Sequence, residues 1–430
     1  MEIIDKLIPP LVMKQLGIVK RKLTDSIIGL HLAKKITNDS IVLDIRKNKK
    51  EKLLMFLFFD PKTTSNTLTE QFHELIKQSE YRVDYVNLFP GIALDKDFKY
   101  FNYSGIIFHS SINNINYRFD YRFDSIDILC KQKISDFKGL KIFFRQDEWL
   151  KQYKFVDYLC YMNFDLIVTL CDIDKIDIFY PPEKLPKLSF IHQLTSYIKE
   201  SYLNFPDRVN SNRKIDVGYR GSPYSPKYGR LVYDKKQIGE DFKIHTINKG
   251  LKTDISSEWK DRIYGDKWFD FILDCKAVLG IDSGVSIVDI DGSIEKGLDI
   301  FLKSKKKATD EDILEYLSEY EDKLTYKVIA PRHFEAAACL TLQVMYESEF
   351  QGIFKANEHY VVLNRDYSNI DEVVDKILDK KERKRVTENA FRDIIQNEEY
   401  SFKMFVNRFD RAIDSLFSRT EKKRIIFEGF

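Results

Sequence analysis

The chain has 430 residues, more than a single hydrophobic core usually serves, so two domains are expected. With 43% hydrophobic and 32% charged residues and a formal net charge of +2, it reads neither as a disordered chain nor as a general nucleic-acid binder. Cys130, Cys160, Cys171, Cys275 and Cys339 make an odd count without a Cys-x-x-Cys pair, which argues against a disulfide framework or zinc site and for a reducing cytoplasm.

Residues 1–52 carry twelve Lys/Arg against six Asp/Glu. Leu16, Val19, Leu23, Ile27, Ile28 and Leu32 fall at helical spacing between Met13 and Thr37, so residues 1–50 are expected to form a basic helical extension. It packs one face on the body, or it touches anionic lipid as a peripheral surface segment. The acidic start at Glu2 and Asp5 and the break at Pro9-Pro10 do not suit a signal peptide. No uncharged apolar stretch reaches the ~18 residues that a membrane span requires.

From Leu53 to Phe59 the chain is continuously apolar, the pattern of a parallel strand buried on both faces. A helix over Thr67–Gln78 and further strands at Tyr81–Leu88, Gly105–His109, Leu140–Phe144 and Asp165–Thr169 follow. Such alternation predicts a parallel α/β domain over 51–203. Leu203–Arg213, polar and interrupted by Pro206, is the linker candidate. Strands then restart at Ile215–Tyr219, Lys243–Ile247 and Ala277–Ile281, giving a second α/β domain over 214–396. Lys303–Lys307 reads as a solvated connection before a helix opening near Thr309–Asp312. Two α/β domains in series leave a cleft between them, with ligands expected beyond the carboxyl ends of the strands.

Several segments could bring chemistry to that cleft. In Val328–Cys339 a short strand ends at Pro331 and an alanine-rich helix begins. Proline suits the first helical turn, whose free N–H groups and dipole can receive a phosphate. Arg332 and His333 follow, and the Glu335 carboxylate can accept hydrogen bonds from neighbouring hydroxyls, or else simply complement the helix dipole. In Gly280–Ile287, Asp282, Ser283, Gly284 and Ser286 form either an anion-binding nest or a tight strand-to-helix turn. Arg220 and Gly221 end the first strand of the second half. In Phe143–Trp149 a buried strand empties into Asp147 and Glu148, a position for a catalytic carboxylate or for an ordinary helix start. His109 occupies a similar strand end. Asp289-Ile290-Asp291 has the outline of a metal clamp and is read as loop structure.

Taken together, these segments resemble bacterial GT-B glycosyltransferases of the group 1 type, in particular the spore-coat-protein-like branch of surface-polysaccharide clusters. The resemblance runs from about Phe101 to Phe409. It rests on Lys141–Trp149, Tyr219-Arg220-Gly221, Arg262–Trp268, Leu279–Ser286, Pro331–Ala337, Gln351–Phe354 and His359–Leu363. It implies an α/β fold of two Rossmann-like domains facing a central cleft, with a C-terminal helix crossing back to the first domain. Residues 397–430 would supply that element, with Phe402, Phe405, Phe409 and Ile413 on one helix face. Glu335 matches the second glutamate of the family's paired signature, whose partner is the donor ribose. Lys327 stands eight residues earlier in place of the first glutamate, and Asp282 is the substitute candidate for the sugar contact.

The implied activity is metal-independent transfer of a sugar from a nucleotide-diphosphate sugar to a hydroxyl of a glycan or lipid-linked acceptor, with no cofactor beyond that donor. Arg220, Gly221, Asp282, Ser283, Gly284, Ser286, Arg332, His333 and Glu335 would hold the donor. Asp147 or Glu148, then His109, would act as base from the first domain if the transfer inverts configuration. The expected location is the cytoplasm, with peripheral contact at the inner membrane face and no nucleic-acid partner. A nucleotide-sugar epimerase, or an inactive nucleotide-binding partner in an assembly complex, would share much of this pattern.

Overall fold

In the computed structural model of the protein, residues 35–47, 49–59, 66–89, 93–94, 97–112, 134–209 and 212–427 are described. Of the expected basic helical extension over 1–50, residues 1–34 lie outside them, as does the thiol of Cys130, while the described part is not an α-helix: Lys35–Ile36 and Ile41–Val42 are short strands around a 3-10 turn. Cys160, Cys171, Cys275 and Cys339 are free. No helix among the described residues is long and apolar enough to cross a membrane.

The first sheet uses β1 (Ile41–Val42), β2 (Lys50–Leu57), β3 (Tyr81–Asn87), β4 (Gly105–Phe108), β5 (Leu140–Phe144), β6 (Leu166–Thr169) and β7 (Ser189–His192). Every pairing among them is parallel except that of β1 with β3. Side-chain alternation along β2 explains the apolar run: Leu53, Met55 and Leu57 enter one core, while Leu54, Phe56 and Phe58 enter another on the opposite face. Helix α1 (Asn66–Gln78) turns Phe72 and Leu75 into the first of these cores, and α2 (Gln152–Met162) covers the other with Phe155 and Leu159. Strand β7, which the sequence reading passed over, is wholly buried.

The second sheet contains β8 (Ile215–Arg220), β9 (Thr253–Ser256), β10 (Cys275–Gly280), β13 (Leu342–Met345) and β14 (Val361–Val362), all parallel, in the order β9-β8-β10-β13-β14. The strand expected at Lys243–Ile247 is instead the end of helix α3 (Arg230–Thr246). Ile238, Phe242 and Thr246 are buried at four-residue intervals, whereas Ile244 and Ile247 are 65% and 79% exposed, so the helical period prevails. Edge strand β9 is too polar to announce itself, and helix α4 (Asp266–Asp274) leads into β10. Between β10 and β13 the chain forms a hairpin, β11 (Ser283–Val285) with β12 (Tyr326–Val328), and the eight-residue helix α7 (Pro331–Ala338). Within the hairpin's long loop lie α5 (Ser293–Ser304) and α6 (Asp310–Leu317), the latter opened by a Thr309–Asp312 capping box. Asp289 accepts N–H bonds from Gly292 and Glu295, and Asp291 from Ser293, so this pair organises the start of α5.

Part of the linker candidate is structured: Glu200–Arg208 form a 3-10 helix with Tyr202 and Phe205 buried. Helices α8 (Ile370–Leu378) and α9 (Lys380–Ala390) finish the second sheet's cover. The chain then returns to the first domain. Helix α10 (Phe402–Ser418) lays Phe405 and Phe409 beside Phe144, and Asp410 accepts bonds from Ser79 Oγ (2.7 Å) and Glu80 N (2.7 Å). The last strand, β15 (Ile426–Phe427), pairs in parallel with β7 and completes the first sheet, ordered β15-β7-β6-β5-β4-β2-β3-β1. The molecule is therefore two Rossmann-like halves tied together by a returning helix, as the resemblance implied.

Candidate active site in the interdomain cleft

The two halves meet where the carboxyl ends of the first sheet face the hairpin and α7. Hydrogen bonds, a ring contact and an ion pair hold this joint. Tyr326 OH on β12 donates to Glu148 Oε2 (2.5 Å), and Thr195 Oγ1 donates to the Ile329 carbonyl (2.5 Å). Gln351, whose Oε1 accepts from Ile329 N, brings its amide to within 3.4 Å of His192 Nε2. Trp149 packs against Tyr228 across the same boundary at 4.6 Å, and Lys151 pairs with Glu295.

Inside the cleft the central cation is Lys235, a residue the sequence reading did not single out. It projects from the second turn of α3, and its Nζ donates to the Gly284 carbonyl (2.8 Å). Burial pushes the ammonium down to about 8, opposed by the carboxylates of Asp147 and Asp282 and reinforced by Arg332. Of the neighbouring charges, Asp147, from the other domain, acts on it most strongly. Its chain signal, a lysine one turn inside a helix, is shared by most surface lysines, so only the fold reveals it.

Around Lys235 the expected residues separate into those that face the cleft and those that build it. Asp147 is half-buried and adopts a left-handed conformation (φ 57°) in the turn between β5 and α2, with its carbonyl accepting from Leu150 N. Few residues other than glycine accept this conformation, and Asp is one of them. Arg332 stands in the first turn of α7, its guanidinium held by the Arg220 carbonyl (2.9 Å) and lying 5.8 Å from the Tyr219 ring. No side chain caps that turn, and Pro331 occupies its first position. Glu335, one turn on, accepts from Trp268 Nε1 (2.6 Å), and burial raises its carboxyl. Asp282 accepts from the Ser348 hydroxyl, and burial lifts it to about 6.

Other candidates are structural. Glu148 is fully buried: Oε1 takes Thr169 Oγ1 (2.5 Å), Leu170 N (3.2 Å) and Tyr180 OH (3.3 Å), while Oε2 takes Tyr326. A carboxylate so occupied holds domains together and has no access to an acceptor hydroxyl, which corrects its expected role as a base. His109 is enclosed between Phe72 and Phe144, its Nδ1 bonded to Ser111, and burial drives the imidazole down to about 3. It too is removed as a base. Arg220 does not reach for a donor: its guanidinium binds the carboxylate of Asp254 and the carbonyls of Tyr219, Asp254 and Asp261, lying 4.4 Å from the Phe271 ring. Gly221 is required for packing, because a Cβ there would stand 2.6 Å from the Lys235 carbonyl.

The anticipated anion nest also resolves differently. Ser283, Gly284 and Val285 are paired with Val328, Lys327 and Tyr326 in the hairpin, so their backbone belongs to a ladder. Gly284 is needed at φ 89°, where a Cβ would meet the Tyr326 carbonyl at 1.9 Å. Ser286 Oγ accepts from Leu231 N and helps to cap α3. His333 is buried with Nδ1 near Gln343 Oε1 (2.7 Å) and Nε2 near the Ile281 carbonyl (3.1 Å), a spacer between α7 and the strand ends. The Arg262–Trp268 segment contributes at its last residue through Trp268, while Arg262 donates to Ser222 and lies 4.1 Å from the Trp259 ring.

Beside Lys235, behind the Asp282–Ser286 segment, lies a chamber of about 380 Å³ walled by the start of α3, the end of β10 and the segment after β13. One group with metal-ligating atoms comes together among the described residues, Glu358, His359 and Asp393. In it the buried His359 accepts from Lys355 N and faces Asp393, itself bound by Arg392.

Two Rossmann-like domains, a cleft at the strand ends and a terminal helix returning to the first domain define the GT-B architecture. No protein-family model and no curated protein matches the sequence. Among solved structures the chain is similar to sucrose-phosphate synthase from Thermosynechococcus elongatus, at 9% identity and a TM-score of 0.43, covering 86% of this chain and 100% of that one. It is also similar to Anabaena HepE in complex with UDP and glucose, at 8% identity and a TM-score of 0.41 over 86% and 100% of the two chains. An α1,3-fucosyltransferase aligns at 10% identity and a TM-score of 0.40, over 88% and 95%.

Proposed function

We propose that the chain is a glycosyltransferase that moves a sugar from a nucleotide-diphosphate sugar to a hydroxyl of a glycan or lipid-linked acceptor in surface-polysaccharide assembly. The observation that carries this reading is the convergence of Lys235, Arg332 and the uncapped first turn of α7, opposite Asp147 of the other domain. Two cations and a helix N-terminus make a seat for a diphosphate. There the bond from the sugar carbon to the phosphate oxygen breaks, and the negative charge that develops on the leaving group is met by groups already in place. The chain supplies this positive charge itself, so no divalent cation is invoked. Glu335, steadied by Trp268, is within one turn of the seat and takes the ribose hydroxyls. Asp147 receives the acceptor proton as the new carbon–oxygen bond forms, in an inverting transfer.

The test uses steady-state transfer from a panel of nucleotide sugars, with binding followed separately by calorimetry. Asp147→Asn should lower kcat roughly 100-fold or more, the usual contribution of a general base, and change donor affinity far less, by no more than the loss of its charge beside Lys235. Full activity in that variant would remove Asp147 from the role. Glu335→Ala should weaken donor binding by about 1.5–3 kcal/mol, the value of a hydrogen bond to a charged group. Release of a new sugar nucleotide from donor alone would instead point to epimerisation.

A further inference from the structure

The 380 Å³ chamber beside Lys235 has a size suited to a small polar ligand and a charge unlike that of the diphosphate seat. Five carboxylates and three basic side chains line it, an excess of two negative charges. Part of this charge is neutralised in pairs, Arg365 with Asp234 and Lys327 with Asp322 at 3.3 Å, which leaves Asp282, Glu321 and Glu347 against Arg230. Glu321 turns both oxygens onto Arg230 N, at 3.2 and 3.1 Å. Glu347 stands exposed at the rim, and Asp282 forms part of the wall next to the diphosphate seat. Leu231, Ile281 and Tyr346 give the chamber an apolar side. Carboxylates that accept hydrogen bonds, set opposite an apolar wall, suit a ring with hydroxyls at its edge and C–H groups on its face.

The chamber and the seat share one segment. The Gly284 carbonyl holds Lys235, while Asp282 and Ser286, on either side of it, line the chamber. A group bonded to a diphosphate at Lys235 therefore has the chamber as its neighbour.

We propose that this chamber receives the donor's sugar and that its surplus of carboxylates selects neutral or amino sugars over uronic acids. The inference rests on the glycosyl-transfer reading. A uronate carboxylate would enter beside Asp282 and Glu347 and meet like charge in a partly desolvated space, and such juxtaposition is how a site rejects a close analogue of its ligand.

The experiment is calorimetric. UDP, GDP and dTDP are titrated first; for each that binds, its neutral hexose conjugate and the matching hexuronate conjugate follow. The neutral conjugate should bind at least as tightly as the bare diphosphate, and the uronate at least tenfold more weakly. Glu347→Gln, at an exposed position that folding tolerates, should narrow the gap, and Asp282→Asn with Glu347→Gln should nearly close it. Equal or tighter binding of the uronate, or a gap untouched by both variants, overturns the proposal while leaving the diphosphate seat intact. Failure of all three diphosphates to bind overturns the glycosyl-transfer reading, and the chamber's role with it.

Discussion

Lys235 is the residue on which the site turns, and its titration gives the most direct prediction. Its ammonium is depressed to about 8 chiefly by burial, so the cation that would grip a diphosphate is present below that pH and lost above it. UDP, GDP or dTDP, whichever binds, has its terminal phosphate ionised above about pH 7, and its affinity should weaken as pH rises past 8. Lys235→Arg, charged throughout, should flatten this profile, and Lys235→Met should weaken binding at pH 7 by about 1.5–3 kcal/mol. Stability runs the other way. An unfolded lysine titrates near 10.5, so between about 8 and 10.5 the unfolded chain holds the proton more tightly, and the ligand-free protein gains stability as pH rises through that window. A flat affinity profile in the wild type would take Lys235 out of the seat. Strand ends and helix starts leave local marks, which is why Asp147, Arg332 and Glu335 stand out as candidates in the sequence. No such mark picks out Lys235, or separates Asp147 from Glu148, because adjacent residues at one turn face opposite ways: one toward the cleft, the other into four hydrogen bonds.

At the scale of elements, the β11–β12 hairpin belongs to the second domain by chain order yet is anchored on the first. Tyr326 is the anchor: fully buried, its hydroxyl pushed far up by burial and by Glu148, it donates to a carboxylate with no exposed surface. Removing the donor strands a lone pair of a buried charged group. Tyr326→Phe should therefore cost about 2–3 kcal/mol of stability, above the value of an ordinary hydrogen bond. Because the hairpin carries Asp282–Gly284, the same variant should raise the donor KM more than it changes kcat. A chemical denaturation midpoint equal to the wild type's would show that the bond contributes nothing. Such long-range partnerships explain what the sequence left illegible at this scale. The continuous runs of β2, β5 and β6 announce themselves, since central parallel strands are apolar on both faces. Edge strand β9 and the three-residue strand β11 do not, and the strand read at Lys243–Ile247 is the end of α3, which buries Thr246 and exposes Ile244 and Ile247.

At the scale of the whole molecule, one core runs through both domains. Leu53, Met55 and Phe144 of the first sheet, Phe334 and Ala337 of α7, Tyr202 and Phe205 of the 3-10 helix, and Phe405 and Phe409 of α10 form a single buried cluster. On the opposite face Phe143 and Phe155 share a cluster with Val285, Val288, Tyr326 and Val328 of the second half. Domains joined by a small polar interface usually unfold separately, whereas shared apolar cores couple them. The protein should therefore melt in one calorimetric transition, with van't Hoff and measured enthalpies in agreement. Helix α10 is the element whose loss should break this unity, because it covers one face of the first sheet and its Asp410 and Asp414 bind Ser79, Glu80, Tyr81 and Lys50 there. A milder probe than truncation is Phe405→Ala with Phe409→Ala, each a large-to-small change in a fully buried position costing about 3–5 kcal/mol. In that double variant the first domain should melt ahead of the second, splitting one transition into two. Two transitions already present in the wild type would show that the returning helix does not couple the halves, and the cleft would then be free to open without disturbing either core.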